Sequence, residues 1–213
     1  MAKIKKGILG GISGTVGNVV GGNWRGIDYI RSKPSSVRNP NTEAQRAQRM
    51  RFRLVMSFLK KARPFITIGF RNGNQNQTEM NKAMSLNVKE AITGTYPDLK
   101  IDPGALVVSV GDLEGAVTAG IDFSVPQEAT VTWSNDSGAG NASNDDAAMV
   151  LLFNSEKQAV SYKLHGASRV DETVTLALPA SWSGDTVSGY LAFRSETGRD
   201  VSSSQFLGTE TIT

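Results

Sequence analysis

The stretch KIKKGILGGISGTVGNVVGGNWRGIDYIR, residues 3–31, decides how the rest of the chain is read. Eight of the twenty residues from Gly7 to Gly26 are glycine. On a helix, each interior glycine would lose about 1 kcal/mol against alanine, and water offers a glycine zipper no compensation. A phosphate cradle would need G-x-G-x-x-G or G-x-x-x-x-G-K-[ST], and neither order is present. The β reading fits best: TVGNVV, a turn at Gly21-Gly22-Asn23, then NWRGIDYIR, in which Trp24, Ile27, Tyr29 and Ile30 favour a strand. Glycines within strands mark bulges or close backbone approach, so the hairpin is expected to pack tightly against another chain or element. Lys3, Lys5 and Lys6 imitate the basic start of a signal peptide, but glycines replace the leucine-rich run, and mature protein is expected.

Outward from this stretch, the charge divides. Residues 1–72 carry 15 Lys+Arg against Asp28 and Glu43, whereas residues 73–213 carry 8 Lys+Arg against 18 acids. The net charge of +3 hides this asymmetry, which points to an anionic partner for the first part: nucleic acid, a membrane surface or an acidic protein face, including that of another copy. No run approaches about 18 apolar residues, so no membrane span is expected. Without cysteine there is no disulfide, no thiolate nucleophile and no cysteine-based metal site.

After Ser32-Lys33-Pro34 the chain is expected to be extended, because the residue before proline avoids helical geometry. A helix then opens with overlapping signals: Asn39 as cap with Pro40 at the first position, or Thr42 as cap with Gln45 closing a capping box. It is expected to run to about Arg63, stopped by Pro64. Ala47, Leu54, Val55, Phe58, Leu59 and Ala62 share one face, and Arg46, Arg49, Arg53, Lys60 and Arg63 share an arc of about 100° beside it. A solvated face usually mixes signs in i,i+4 pairs, and this arc holds no acid, so an anionic partner is a real candidate. FITIGF (65–70) reads as a short strand and RNGNQNQ (71–77) as a polar linker. A second helix at about 78–92 puts Met80, Met84, Val88 and Ala91/Ile92 on one face, a pattern typical of core packing. GTYPDLKIDPG (94–104) is turn-rich.

From Ala105 the pattern becomes short β runs between turns: ALVVSV (105–110), GIDFSV (120–125), ATVTWS (129–134), AAMVLLF (147–153), AVSYKL (159–164), ETVTLAL (172–178), TVSGYLAF (186–193) and SQFLG (204–208). Such spacing is that of an antiparallel β-sandwich, with Trp133 and Tyr190 as inward anchors. The absence of cysteine favours a fibronectin type III-like or related immunoglobulin-like sandwich. The expected fold is α+β: a basic glycine-rich hairpin arm (1–38), a segment with two helices (39–104) and the sandwich (105–213).

Chemistry-bearing patterns are sparse. His165 is the single histidine, at a strand end, and no G-x-S-x-G elbow or comparable context accompanies it. One histidine and no cysteine leave no expected zinc site. The loop from Asn135 to Asp146 is rich in oxygen donors but lacks the D-x-[DN]-x-[DN]-G order and distal glutamate of a calcium loop. No catalytic residue, metal or cofactor is expected, and the chain reads as a non-enzyme. The expected interaction residues are Trp24, Arg25, Tyr29, Arg31, Lys33, Arg46, Arg49, Arg53, Lys60 and Arg63. Trp24, Tyr29 and Arg25 could serve phosphates and stacked bases, which makes nucleic acid the rival partner to protein. A sandwich whose loops bind glycans or proteins at a surface is the third reading.

GILGGISGTVGNVVGGNWRGIDYIRSKP, NPNTEAQRAQRMRF and the C-terminal ASWSGDTVSGYLAFRSETGRDVSSSQFLG together resemble a family of Bacteroidota proteins of about this length, some carried by prophages. The pattern of glycine-rich strands, then R-x-x-P and N-P-x-T-x-x-Q-x-x-R-x-x-F, is similar to one in small proteins of phage structural gene clusters. That family has no established activity, so the resemblance transfers no functional residue. It implies a structural protein of a virion or phage-like assembly, or otherwise a cytoplasmic one. Partners would be subunits of the same or other virion proteins, in a homo-oligomer.

Overall fold

The computed structural model describes residues 2–4, 7, 10–36, 40–71 and 77–212. Where the sequence suggests one hairpin, it contains four antiparallel strands in sequential order: β1 (Lys3–Ile4), β2 (Ile12–Val16), β3 (Val19–Trp24) and β4 (Ile27–Ser32). The turns also differ from expectation. Gly21, Gly22 and Asn23 lie inside β3, opposite Ile30, Tyr29 and Asp28. The β3–β4 turn falls at Arg25-Gly26, with φ of 51° and 87°. Two positive φ values in a two-residue loop are the requirement of a tight hairpin turn that matches strand twist. Asn23 supports it, accepting from the Gly26 N–H at 3.0 Å and donating to Asp28 at 2.7 Å. These strands belong to a compact unit, Met1–Thr42.

The described residues of the second unit, Glu43–Thr213, form three α-helices where two were expected. Helix α1 (Glu43–Lys61) has Glu43 in its first turn and Lys60 and Lys61 in its last, signs that suit the helix dipole. Thr42 precedes it directly, while the alternative cap Asn39 and most of the 71–77 linker lie outside the described residues. Val55, Phe58 and Leu59 form its buried face. FITIGF is a helix rather than a strand: α2 (Arg63–Gly69) has Pro64 in its first turn, and Thr67 donates back to the Arg63 carbonyl at 2.9 Å. Its β-branched residues favour a strand locally, but helical geometry buries Phe65, Ile66 and Gly69 together. Tertiary packing outweighs propensity here. Helix α3 (Glu79–Glu90) is capped by Thr78 and buries Ala83, Met84 and Asn87, with Met80 and Val88 partly buried beside them. A small hairpin, β5 (Ile92–Thr93) and β6 (Lys100–Ile101), follows.

The run 105–110 pairs with no strand. Ala105 ends a 3₁₀ turn, Pro103–Ala105, Leu106 is extended, and the backbone beyond is satisfied by other groups. Asn87 brackets Val107, accepting from its N–H and donating to its carbonyl, both at 2.8 Å. Ser204 accepts from the Val108 N–H, and the Gly69 carbonyl accepts from the Val110 N–H. A buried segment must place these groups somewhere, and side chains replace the ladder.

The other seven runs are strands. One sheet has the order β10 (Ala159–Lys163), β9 (Ala147–Asn154), β12 (Thr186–Arg194), β13 (Gln205–Thr211). The other has the order β11 (Thr173–Ala177), β8 (Glu128–Trp133), β7 (Ala119–Asp122), and all pairings are antiparallel. Strands β9 and β12 explain the layering. Met149, Leu151, Phe153, Tyr190 and Ala192 face one cluster with Phe58, Leu59 and Phe65 of the helices. Ala148, Val150, Leu152, Val187, Leu191 and Phe193 face a second cluster with Val131 and Trp133 of β8 and Val174 and Leu176 of β11. Helices, a four-stranded sheet and a three-stranded sheet thus make three layers. AAMVLLF is apolar without alternation because both of its faces are buried.

Trp133 lies between the two sheets, edge-on to Phe193, and donates to the Arg169 carbonyl at 2.8 Å. Tyr190 points inward on the helix side and donates to the Pro103 carbonyl at 2.7 Å. Arg169 is fully buried: it pairs with Asp146 at 3.2 Å, donates to the Glu114 and Gly115 carbonyls, and stacks 3.9 Å from the Phe193 ring.

Candidate docking surface

Strand alternation sorts the first unit's side chains. Residues opposed across an antiparallel pair share a face. By register, Trp24 opposes Ile27, Gly22 opposes Tyr29, and Val20 opposes Arg31. One face therefore carries Trp24, Ile27, Tyr29, Val20 and Arg31. The Arg25 guanidinium lies 5.2 Å from the Trp24 ring at the end of the hairpin. Lys33 continues past β4, its N–H held by the Asn18 carbonyl at 2.7 Å. Five expected interaction residues, Trp24, Arg25, Tyr29, Arg31 and Lys33, are thus brought to one small sheet, and all are exposed.

The opposite face holds Val16, Val19 and Ile30, and the chain's own N-terminal part crosses it. A Cβ at Gly21 would stand 1.9 Å from the Ile12 carbonyl oxygen, and one at Gly11 would stand 2.0 Å from the Asp28 carboxylate. The close approach expected at strand glycines is thus made by the same chain at Gly21, where any side chain would collide. Among the described residues of this unit, Gly21 alone is buried. Trp24, Ile27 and Ile30 are 63%, 65% and 61% exposed. A small sheet normally needs a buried hydrophobic face to stand alone, and this one shows its apolar residues on the outside.

The remaining expected residues lie in the second unit. Arg46, Arg49, Arg53 and Lys60 are exposed along α1, about half a turn from the face of Val55, Phe58 and Leu59, so the stripe stands opposite the core rather than beside it. Arg63 opens α2 and is also exposed. Arg46 lies 5.8 Å from the Tyr96 ring, and the Arg49 Nε donates to the Gln45 carbonyl at 3.1 Å. Phe58 and Phe65, two apolar residues of this basic region, belong to the chain's own core and cannot contact a partner. Beside the stripe, Gln48, Phe52, Met84, Ser85 and Val88 line a shallow groove of about 400 Å³ between α1 and α3.

His165 is exposed and lies 3.2 Å from an Arg194 nitrogen. Among the described residues no group of three or more His, Asp or Glu is placed to hold a metal. The oxygen-rich loop spends its donors on itself and its neighbours: Asp136 accepts from Ser134 and from the Val117 N–H, Asn141 from the Glu114 N–H, and Asp146 from Ser143. The Ser134 hydroxyl and the Val117 N–H hold the Asp136 carboxyl below the usual carboxylate range. Among the described residues no helix is long and apolar enough to cross a membrane.

Arg169, Asn87 and the edge character of β4 had no signal that stood out in the sequence. An isolated arginine near a strand start reads as surface, and only the loops that fold over it make it core.

The molecule is thus an α+β protein that pairs a three-layer body with a small, apolar-faced sheet. Residues 11–208 match a family of unknown function, DUF6266, and the chain belongs to that family. The match takes in β2, β3 and β4 together with nearly all of the second unit. No curated protein matches the sequence.

Proposed function

We propose that this chain is a non-enzymatic structural protein that docks on neighbouring subunits through the Trp24–Ile27–Tyr29 face, in a phage-like particle. The observation that carries this reading is a four-stranded sheet with one buried glycine and large apolar side chains outward. Covering Trp24 alone would remove on the order of 100 Å² from water, worth about 2–3 kcal/mol. Arg25 and Arg31 at its rim suit the enrichment of arginine and aromatics at interfaces. The particle setting is supported by the resemblance of the glycine-rich strands and the N-P-x-T-x-x-Q segment to phage structural gene products.

In the body, we read β7 to β13 as a fibronectin type III-like sandwich. What supports it is the partition of strands: first, second and fifth in one sheet; third, fourth, sixth and seventh in the other. This corresponds to A, B, E against C′, C, F, G in immunoglobulin-like lettering. Helices covering the outer face of the larger sheet depart from that family.

The test replaces Trp24, Ile27 and Tyr29 together with serine and measures incorporation into native assemblies. The body should melt unchanged while incorporation is lost. Full incorporation would refute the docking reading.

A second reading, nucleic-acid binding, is favoured by the outward position of Arg46, Arg49, Arg53 and Lys60. It requires affinity for duplex DNA that falls with salt at a log–log slope of about −0.9 per neutralised phosphate. Absence of a mobility shift at low salt removes it.

A further inference from the structure

The two ends of the chain carry opposite charge. Residues 1–42 hold seven Lys+Arg against Asp28 alone, whereas residues 105–213 hold five against fourteen acids. Those acids are not spread evenly. Strands β7 and β11 begin, and β8 ends, at one end of the three-stranded sheet, where the segments 111–118, 134–146 and 167–172 meet. The Asn141 side chain ties the first to the second, accepting from the Glu114 N–H at 2.9 Å and donating to the Asp112 carbonyl at 3.1 Å. The Val170 N–H ties the third to the second, donating to the Asn144 carbonyl at 3.3 Å. Together the three segments contain seven acids and one base, Arg169, which is buried against Asp146. That leaves Asp112, Glu114, Asp136, Asp145, Asp171 and Glu172, none of them buried, with no cation of these segments to balance them. Val117 and Val170, 78% and 51% exposed, stand in the same loops. This end therefore matches the Trp24–Ile27–Tyr29 face in apolar character and opposes the sign of its rim, Arg25, Arg31 and Lys33.

We propose that the Trp24–Ile27–Tyr29 face of one copy docks on the acidic end of a second copy, so that successive copies join head to tail. The inference rests on the docking reading above and names the neighbouring subunit. The interface is heterologous: each copy brings one basic sheet and one acidic end, and repetition closes a ring or extends a filament. Burial of the aromatic side chains supplies affinity. The opposed charges speed encounter and set this contact above a sheet-to-sheet one, in which like charges would meet. Exposed charges are screened by salt, so association loosens as salt rises.

The test uses two full-length variants, each lacking one half of the interface. The first is Trp24→Ser/Ile27→Ser/Tyr29→Ser. The second is Asp112→Lys/Glu114→Lys/Asp145→Lys, which spares Asp136, Asp171 and Glu172, whose carboxylates hold the loops. Thermal melting checks the second unit in both. If the lysines unfold it, Asp112→Asn/Glu114→Gln/Asp145→Asn takes their place, removing charge without reversing it. Sedimentation velocity over a range of concentration and salt reads the association. The unsubstituted chain should self-associate, less so as salt rises, and each variant alone should be weakened by about 100-fold or more. An equimolar mixture should form a 1:1 dimer and stop there, because the first variant keeps the acidic end and the second keeps the sheet. An unsubstituted chain that stays monomeric at every concentration, or a lysine variant that associates as strongly as it does, overturns the head-to-tail contact. The docking reading still stands in that case if the serine variant fails to enter native assemblies. Variants that do not complement each other, or association that tightens with salt, overturn the choice of partner surface. A serine variant that still enters assemblies refutes the docking reading itself.

Discussion

Arg169→Met would remove a guanidinium from the interior of the second unit while keeping most of its apolar stem volume. The Arg169 and Asp146 side chains are 0% and 2% exposed, so their ion pair is shielded from water. Arg169 also donates to the Gly115 carbonyl at 3.1 Å and the Glu114 carbonyl at 2.6 Å. Methionine would leave Asp146 with the Ser143 N–H but without its cation. Breaking a buried pair from one side costs about 3–5 kcal/mol, a large part of the ~5–15 kcal/mol that stabilises a typical domain. For a unit of this size the melting temperature should fall by about 6–20 °C. Thermal and urea unfolding, followed by circular dichroism and tryptophan fluorescence, would measure it. Trp133 donates to the Arg169 carbonyl, so its emission reports on the same region. The double variant Arg169→Met/Asp146→Leu should regain part of the loss, because an apolar pair replaces the ionic one without an orphaned charge. A loss below about 1 kcal/mol for the single variant, or a double variant no more stable than the single, would refute the argument that the stranded carboxylate dominates.

Asn87→Ala should cost about 1–3 kcal/mol in urea unfolding, since both backbone groups of Val107 would lose their partner. Tyr190 is buried, which pushes its phenol well above its ordinary value of 10.0. Its folded value is raised, so that contribution is complete below about pH 10 and is lost as pH rises beyond it. Tyr190→Phe should therefore flatten the alkaline limb of a stability–pH profile. Asp185 is held below the ordinary carboxylate value by hydrogen bonds from Lys157 and Asn154. Its contribution is present above the unfolded value of about 3.9 and is lost as pH falls through the lower folded one. Asp185→Asn should show a shallower acid limb in the same experiment. Gly21→Val should abolish the N-terminal sheet, measured by proteolysis within residues 10–36, with the melting of the body unchanged. Gly17→Ala, strained by its φ of 55° but with open space around it, should weaken the sheet less than Gly21→Val in the same assay.

Much of the local structure is legible from residue order alone. Alternation and turn chemistry mark seven of the strands, and i,i+3,i+4 spacing marks α1 and α3. The concentration of lysine and arginine before residue 73 needs no coordinates, nor do the single histidine and the absence of cysteine. Two-residue alternation puts Tyr29 and Arg31 on one face once a strand is assumed, but Trp24 joins them only because the chain turns at Arg25-Gly26 and sets Trp24 opposite Ile27. Turn placement was not legible: Gly21-Gly22-Asn23 has turn composition, yet the strand needs Gly21 where Ile12 crosses it, and Arg25-Gly26 takes the positive φ values instead.

Three decisions belong to the tertiary structure. FITIGF has strand propensity and becomes a helix because that geometry buries Phe65, Ile66 and Gly69 together. ALVVSV has strand pattern and joins no sheet, because Asn87 and Ser204, from distant parts of the chain, supply hydrogen bonds that a neighbouring strand would otherwise provide. Arg169 becomes core because loops around residues 114 and 146 close over its charge. Periodicity and propensity are local quantities, so sequence by itself determines strands, helices and the division of charge. Which face is buried, and which strand is left as an edge, depends on contacts between residues far apart in the chain, and those only the folded structure decides.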